Sequence, residues 1–300
     1  MNILEIVYDK ACNVIDGIED GLDAIGKVLA PLSAPLRKLD DFGDYLRASH
    51  GSYPDQIPNQ RLEERLSGSE LVQDEKRKKY GILLAGHAGY GKWRMDSHIA
   101  LAYQTLLQEG FDKDNIFVLD SNGYQYHNRY PIDGKATKDN LQKILSKISR
   151  GIGKNDLFFL FTTSHGGVKD NKSYLCLLNE QLSSRELERY LMGIRPKNGV
   201  LVFNACHSGS FARGLGRGPF IAISATSETG IAVGSAVPNA FFGAFKHPYK
   251  ADRNNDGEVS VKEAFDYCLG KCRKGFIPIL VHQTPQFVSQ VKDPEKVTLR

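Results

Sequence analysis

The chain has 300 residues, of which 41% are hydrophobic and 25% charged, and its formal net charge is +4. This length can bury a substantial core, and the weak charge gives no reason to expect a nucleic-acid partner. Five cysteines without paired spacing argue against a disulfide framework. The longest dense apolar run, residues 157–161, is too short to span a membrane. Because the N-terminus also lacks the features of a secretory signal, we expect a cytoplasmic protein.

Residues 1–50 are predicted to form an amphipathic helical region. Apolar side chains from Ile3 to Leu29 recur at steps of three and four until two prolines end the pattern. The acidic polar face is a poor match for anionic lipid, so the apolar stripe packs either on the protein itself or on a protein partner. Residues 51–79 are polar and turn-rich and are predicted to be a linker. Its basic end, residues 75–79, is either solvated or an exposed, cleavable segment.

From residue 80 onward, short apolar runs alternate with stretches of helical periodicity. The runs predicted to be strands are residues 81–85, 115–119, 156–162, 199–204 and 220–224. The stretches predicted to be helices are residues 94–109, 137–149 and 183–192. Nearly continuous apolar strands separated by helices predict a mostly parallel sheet covered on both faces. In such sheets, functional groups gather beyond the C-terminal ends of the strands.

The first predicted strand leads into a motif with the spacing of a phosphate-binding loop. Gly86 is followed, after four residues, by Gly91 and Lys92. Such a loop needs Ser or Thr after its lysine to ligate magnesium, whereas this chain has Trp93. Asp120, at the end of the second strand, is a candidate acidic metal ligand. A nucleotide hydrolase therefore stays open only as a minor alternative.

Two other predicted strands end in residue types that are typical of nucleophilic catalysis. Strand 156–162 leads into His165 and Gly166, and strand 199–204 leads into Cys206. Because neighbouring parallel strands end at the same sheet edge, we expect the imidazole and the thiol to converge on one substrate. The glycine lets the backbone approach closely and turn its N–H toward a developing oxyanion.

The motifs "TTSHGG" and "NACHSGSF" resemble those of the caspase-like cysteine peptidases, which include legumains, caspases and metacaspases. The resemblance covers about residues 80–290, and residues 89–119 are similar in layout to legumains. It implies a three-layer α/β/α sandwich with a mostly parallel sheet. It also implies that Cys206 attacks the scissile carbonyl and that His165 protonates the leaving amine and later activates water. The N–H groups of Gly166 and Cys206 would form the oxyanion hole.

The same resemblance implies a substrate pocket. Arg94 aligns with the arginine that meets an Asn or Asp side chain in legumains and caspases, and a guanidinium pairs well with a carboxylate. Further substrate-binding positions are expected at Asn204, His207, Ser224 and Thr226. Legumains carry an acid where this chain has His207, and metacaspases carry an Asp where it has Asn204. These departures leave only a weak preference for Asp or Asn at the cleavage point.

Residues 252–263, "DRNNDGEVSVKE", match the twelve-residue calcium loop of the EF-hand. Gly257 stands where this loop turns sharply, Val259 is its inward apolar residue, and a helix follows. The candidate calcium ligands are Asp252, Asn254, Asp256, Glu258, Ser260 and Glu263. Calcium is therefore the expected cofactor, either regulatory or stabilising, and no organic cofactor is expected.

Together these patterns predict a helical N-terminal region, a linker, and a caspase-like peptidase domain at residues 80–300. The predicted activity is endoproteolysis of a protein or peptide through a Cys-His dyad and a thioester intermediate, with calcium dependence and self-processing as further expectations. The main alternative is a catalytically silent calcium-binding interaction module on the same fold. A transpeptidase or ligase, which uses the same thioester, also stays open.

Overall fold

The computed structural model describes residues 60–67, 77–86, 92–121, 129–169, 172–232, 235–273 and 283–300. All of them belong to the unit that runs from Pro54 to Arg300. The predicted amphipathic region at residues 1–50 lies outside the described residues. Across the described ranges, no helix combines the length and the apolarity needed to cross a bilayer.

A seven-stranded sheet forms the centre of this unit. Its strands are β1 (Lys79–Ala85), β2 (Ile116–Asp120), β3 (Gly134–Lys135), β4 (Leu157–Thr163), β8 (Asn198–Asn204), β9 (Phe220–Ser224) and β10 (Gln286–Ser289). They lie in the order β10-β9-β8-β4-β1-β2-β3, and every pair is parallel except β10 with β9. The five predicted strands are confirmed to within two residues at each end. They read as apolar runs because a parallel sheet is buried on both faces.

Helices cover both faces of the sheet. In chain order they are α1 (Gln60–Ser67), α2 (Lys92–Gln108), α3 (Lys138–Gly151), α4 (Ser184–Leu191), α5 (Gly209–Leu215), α6 (Ala236–Lys246), α7 (Pro248–Ala251) and α8 (Val261–Arg273). One hydrophobic core joins α2, α6 and α8 to one face, and a second joins α1, α3, α4 and α5 to the other. The predicted three-layer α/β/α sandwich is therefore confirmed, as are the three predicted helices.

A small antiparallel sheet follows β4 directly. It consists of β5 (Gly166–Lys169), β6 (Lys172–Cys176) and β7 (Gln181–Ser183), in that order. These strands are short, and β5 is largely exposed, so they lack the long apolar runs that revealed the central strands. The hairpin of β5 and β6 brings the chain back to the end of β4.

Helix α1 lies within the stretch that was predicted to be a polar linker. Leu62 is fully buried, and two arginines bind the fully buried carboxylate of Asp133. Arg61 Nε lies 2.8 Å from Asp133 Oδ1, and Arg65 Nη1 lies 2.6 Å from Asp133 Oδ2. Val118 N donates to the same carboxylate at 2.7 Å. Some of the polar residues in this stretch therefore attach α1 to the rest of the fold.

The end of the basic run at residues 75–79 is part of the fold. Arg77 Nη1 donates to the carbonyl oxygen of Arg300 at 2.7 Å, and Lys78 N donates to Asp156 at 2.8 Å. Lys79 begins β1. Cleavage at these last residues would therefore require the start of β1, which lies between β4 and β2, to open locally.

Candidate active site

The pairing of β4 with β8 places the two candidate catalytic residues at one edge of the sheet. Thr163 and Asn204 are opposite each other as the last residues of the two strands. The ladder continues for one more bond, because Ser164 N donates to the carbonyl oxygen of Asn204 at 3.1 Å. His165 and Cys206 each follow two residues beyond the end of their strand.

Two glycines allow the loops around Cys206 to approach closely. A Cβ atom at Gly166 would overlap the carbonyl oxygen of Cys206. A Cβ atom at Gly209, the first residue of α5, would overlap the backbone of Ser227 and Glu228. The backbone that follows His165 is therefore in direct contact with the candidate nucleophile, and no larger residue fits at either position without a shift of backbone.

The turn between β8 and α5 carries a half-buried thiol on a strained backbone. The Sγ atom of Cys206 lies 3.8 Å from the carbonyl oxygen of Ala232. His207 adopts a φ of 58°, which is uncommon for residues other than glycine. Its N–H donates to Gly230 O at 2.9 Å, and its Nδ1 lies 3.0 Å from Glu228 O. Because a carbonyl only accepts, Nδ1 carries the proton, and His207 fastens the turn.

A buried histidine that the sequence analysis did not single out forms hydrogen bonds at this end of the sheet. His98, on α2, is 3% exposed. Its Nδ1 lies 3.0 Å from Thr163 Oγ1, and its Nε2 lies 2.8 Å from Ser235 Oγ. Asn204 Nδ2 donates to the same Thr163 hydroxyl at 3.1 Å. The ends of β4 and β8 are thereby joined through side chains to α2 and to the residue that precedes α6.

The protonation of His98 follows from these partners. Both partners of His98 are hydroxyl groups, each of which can donate or accept, so a neutral imidazole satisfies both hydrogen bonds in either tautomer. Burial, followed by the positive charge of Arg94, lowers the pKa of His98 to about 3. His98 is therefore neutral near pH 7 and acts as a positioning group.

Arg94 lies in the first turn of α2 and is half-buried. It is one helical turn before His98, whose pKa it influences, and His98 contacts Thr163 just before His165. Arg94 is therefore close to the edge of the sheet where the candidate catalytic residues lie. Its role in a substrate pocket stays a prediction.

Three of the predicted substrate-binding residues are buried in this conformation. Asn204 is 6% exposed and bonds to Thr163, while Ser224 and Thr226 have no exposed area. Ser224 Oγ donates to the carbonyl oxygen of Thr226 at 2.9 Å. These side chains are packed at the ends of the strands and in the adjoining turn, and in this conformation they offer almost no surface to a substrate. Their selection rested on the resemblance to caspase-like peptidases, which does not report burial.

The residue on which the nucleotide alternative depended is also buried. Asp120 has no exposed area and accepts a hydrogen bond from Ser121 Oγ at 3.2 Å. Burial raises the pKa of Tyr130, and the carboxylates of Asp120 and Asp96 raise it further. Asp120 thus belongs to a buried polar cluster. Residues 87–91 of the glycine-rich loop lie outside the described residues.

The predicted calcium loop folds back on itself through its own acidic side chains. Asp252 accepts hydrogen bonds from Asn255 N at 2.7 Å and from Gly257 N at 3.0 Å. Asn255 and Gly257 both have positive φ, at 59° and 87°, so the backbone turns sharply twice. Asp256 accepts a hydrogen bond from Glu258 N at 2.9 Å. The backbone therefore has the compact turns that the sequence motif requires.

Glu263, the last predicted calcium ligand, is engaged as a helix cap. Its Oε1 accepts from Arg253 N and Asn254 N, and its Oε2 accepts from Ser260 N and Ser260 Oγ. Burial opposes ionisation, but these hydrogen bonds hold the pKa of Glu263 below its usual value. Among the described residues, no three acidic, histidine or cysteine side chains form a metal-binding group. Glu263 would have to turn from its cap to ligate an ion, so calcium binding stays a prediction.

Comparison with known proteins points to one family. Residues 79–152 and 148–235 match the Peptidase C13 family, and together they span just over half of the chain. A legumain from Canavalia ensiformis is 28% identical over 131 residues, which cover 33% of this chain and 28% of that protein. The chain therefore spans just over a quarter of the length of this curated relative. Arg94, His165 and Cys206 fall within the matched residues, whereas the loop at 252–263 does not.

We expect stability to fall at mildly acidic pH because of His98. In the unfolded chain His98 takes up a proton below its ordinary pKa of 6.5. In the folded protein it stays unprotonated until the pH falls to about 3. Stability is then lost as the pH falls through this window, by about 2 kcal/mol between pH 7 and pH 5. Urea unfolding of wild type and His98→Asn at both pH values tests this, with His247→Gln as control. An equal pH dependence in wild type and His98→Asn would contradict the assignment.

Proposed function

Because the chain belongs to the Peptidase C13 family, we propose that it is a cysteine endopeptidase in which Cys206 is the nucleophile and His165 the general acid and base. The observation that carries this proposal is the register of β4 with β8, which brings both residues to one sheet edge. Gly166 also lies close to the backbone of Cys206, so its N–H group is a candidate hydrogen-bond donor to the oxyanion.

In the proposed reaction, the Cys206 sulfur attacks the carbonyl carbon of the scissile bond while the thiol proton passes to His165. The N–H groups of Gly166 and Cys206 stabilise the negative oxygen that forms. His165 then returns the proton to the leaving amine, and a thioester to Cys206 remains. Water, deprotonated by His165, attacks the thioester and releases the acid product with the free thiol.

We expect Cys206→Ala to abolish cleavage of a fluorogenic peptide library by the full chain, and His165→Ala to reduce it by about 10²- to 10⁴-fold. Cys272→Ala, which changes a half-buried cysteine on α8, serves as the matched control and retains activity. Intact masses of wild type and Cys206→Ala test the predicted self-processing, which would shorten only the wild-type chain.

Cleavage that survives in Cys206→Ala would contradict the mechanism. An inactive wild-type protein whose Cys206 also fails to react with an iodoacetamide probe would instead favour the catalytically silent interaction module.

We further propose that Arg94 selects an acidic or amide side chain at the cleavage point. Its support is the position of Arg94 at the active-site edge and the match between a guanidinium and a carboxylate.

We expect Arg94→Gln to raise KM for peptides with Asp at the cleavage point while kcat for small neutral peptides changes little. Such a split would indicate loss of a binding contact, with the catalytic residues intact. Arg150→Gln, an exposed arginine at the end of α3, is the control. An unchanged profile of the peptide library in Arg94→Gln would reject the pocket assignment.

We also propose that the loop at residues 252–263 binds calcium, with Asp252, Asn254 and Asp256 as side-chain ligands and Glu263 released from its cap to join them. The support is the sequence motif together with the paired positive-φ turns at Asn255 and Gly257.

Calcium is expected to raise the midpoint of thermal unfolding of wild type relative to chelator, because a ligand that binds only the folded state stabilises it. Asp252→Asn keeps one of the two oxygens that accept from the Asn255 and Gly257 amides and removes the charge, so this shift should disappear. Asp266→Asn makes the same change outside the loop and should retain the shift. Equal midpoints of wild type with calcium and with chelator would dismiss the site, and dependence of peptide cleavage on calcium would indicate regulation.

A further inference from the structure

A second cysteine lies beside the candidate catalytic pair and has no part in the proposed hydrolysis. In the β5–β6 ladder, Gly166 is paired with Leu175. The ladder ends with this pair, but its register continued by one residue sets Cys176 opposite His165, and Cys176 N donates to His165 O at 2.9 Å. Directly opposed residues of an antiparallel pair point to the same face, with Cβ atoms about 4.5–5.5 Å apart. The Cys176 side chain is therefore beside that of His165.

The surroundings of Cys176 connect it to the nucleophile as well. Gly166, the neighbour of His165, touches the carbonyl of Cys206 on one side and pairs with the β6 strand on the other. Burial raises the pKa of Cys176 to about 11, and the charge of Cys206 contributes to the rise. Cys176 is therefore a protonated thiol near neutral pH and does not compete as nucleophile. Neither Cys176 nor Cys206 is in a disulfide, and both are half-buried.

We propose that Cys176 is a resolving thiol that forms a disulfide with Cys206 when a hydroperoxide oxidises the nucleophile. The inference goes beyond peptide hydrolysis, because the modification would switch the site off and protect it. The position of Cys176 opposite His165 and the contact between Gly166 and the carbonyl of Cys206 carry the proposal, because both cysteines thereby adjoin the same two residues, His165 and Gly166.

The chemistry balances with a hydroperoxide as the oxidant. The Cys206 thiolate attacks one peroxide oxygen, the O–O bond breaks, and sulfenic acid forms on Cys206 with release of water or an alcohol. The Cys176 sulfur then attacks the Cys206 sulfur, the S–O bond breaks, and water leaves with the proton of Cys176. His165, beside Cys176, can carry that proton during the step. Two thiols are oxidised by two electrons, and a dithiol reverses the change by exchange.

The chain contains an internal control for this inference. Cys268 and Cys272 have sulfur atoms 3.9 Å apart, but they are four residues apart on α8. Residues at this spacing have Cβ atoms about 5–6 Å apart, whereas a disulfide needs about 3.8 Å. The helix therefore opposes a bond between these two thiols, even though their sulfur atoms are close.

The test oxidises the full chain with hydrogen peroxide, blocks free thiols with iodoacetamide, and maps the non-reduced tryptic peptides by mass. Trypsin releases Cys176 in residues 173–185 and Cys206 in residues 198–213. We expect these two peptides to be linked, with the loss of two hydrogen atoms, in wild type and in Cys272→Ser. In Cys176→Ser and Cys176→Ala we expect sulfinic acid on Cys206 instead. Peptidase activity lost on oxidation should return with dithiothreitol in wild type and not in the Cys176 variants.

The absence of the linked peptide from oxidised wild type would overturn the inference, as would full recovery of activity in both Cys176 variants. The peptide map of wild type requires neither a variant nor catalysis. A linked peptide in a protein that cleaves nothing would therefore uphold the disulfide and reject the peptidase. A cleaving enzyme without the linked peptide would do the reverse.

Discussion

Strands β4 and β8 lie side by side with Thr163 opposite Asn204, and the positions of His165 and Cys206 follow from this register. A slip of one residue would turn every side chain of one strand to the opposite face. It would also separate the Asn204 amide from the Thr163 hydroxyl, which it now meets at 3.1 Å. The register is thus set by apolar burial along both strands and by a polar bond at their ends.

The polar side chains at the ends of β4 and β8 need more hydrogen-bond partners than the two strands provide. A buried hydroxyl and amide are costly unless they are hydrogen-bonded, and His98 supplies a further bond to Thr163 from α2. Its other nitrogen bonds to Ser235, before α6. Strands β4 and β8, helix α2 and the residue before α6 are thereby joined next to the candidate catalytic residues. Burial, with the nearby charge of Arg94, keeps the imidazole neutral, so these contacts at the candidate active site are sensitive to acid.

The sequence was sufficient to predict the central strands, because strands buried on both faces must be apolar throughout. It also located His165 and Cys206, since both follow such strands. It was insufficient wherever the partner is remote or the strand is short. His98 bonds to Thr163, which is 65 positions away in the chain, and to Ser235, which is 137 positions away. The bond between Arg61 of α1 and Asp133 spans 72 positions. The partner of Cys176 depends on the register of a short, partly exposed hairpin.

A cysteine nucleophile is useful because its thiolate reacts readily, and the same property makes it the first group to be oxidised. A second thiol can limit that damage only if it is close yet protonated, since a second thiolate would compete for substrate. Burial at the end of β6 raises the pKa of Cys176 to about 11 and so meets this condition. In the proposed mechanism, the hairpin that follows His165 supplies a backbone amide for the oxyanion. The same hairpin sets Cys176 opposite His165.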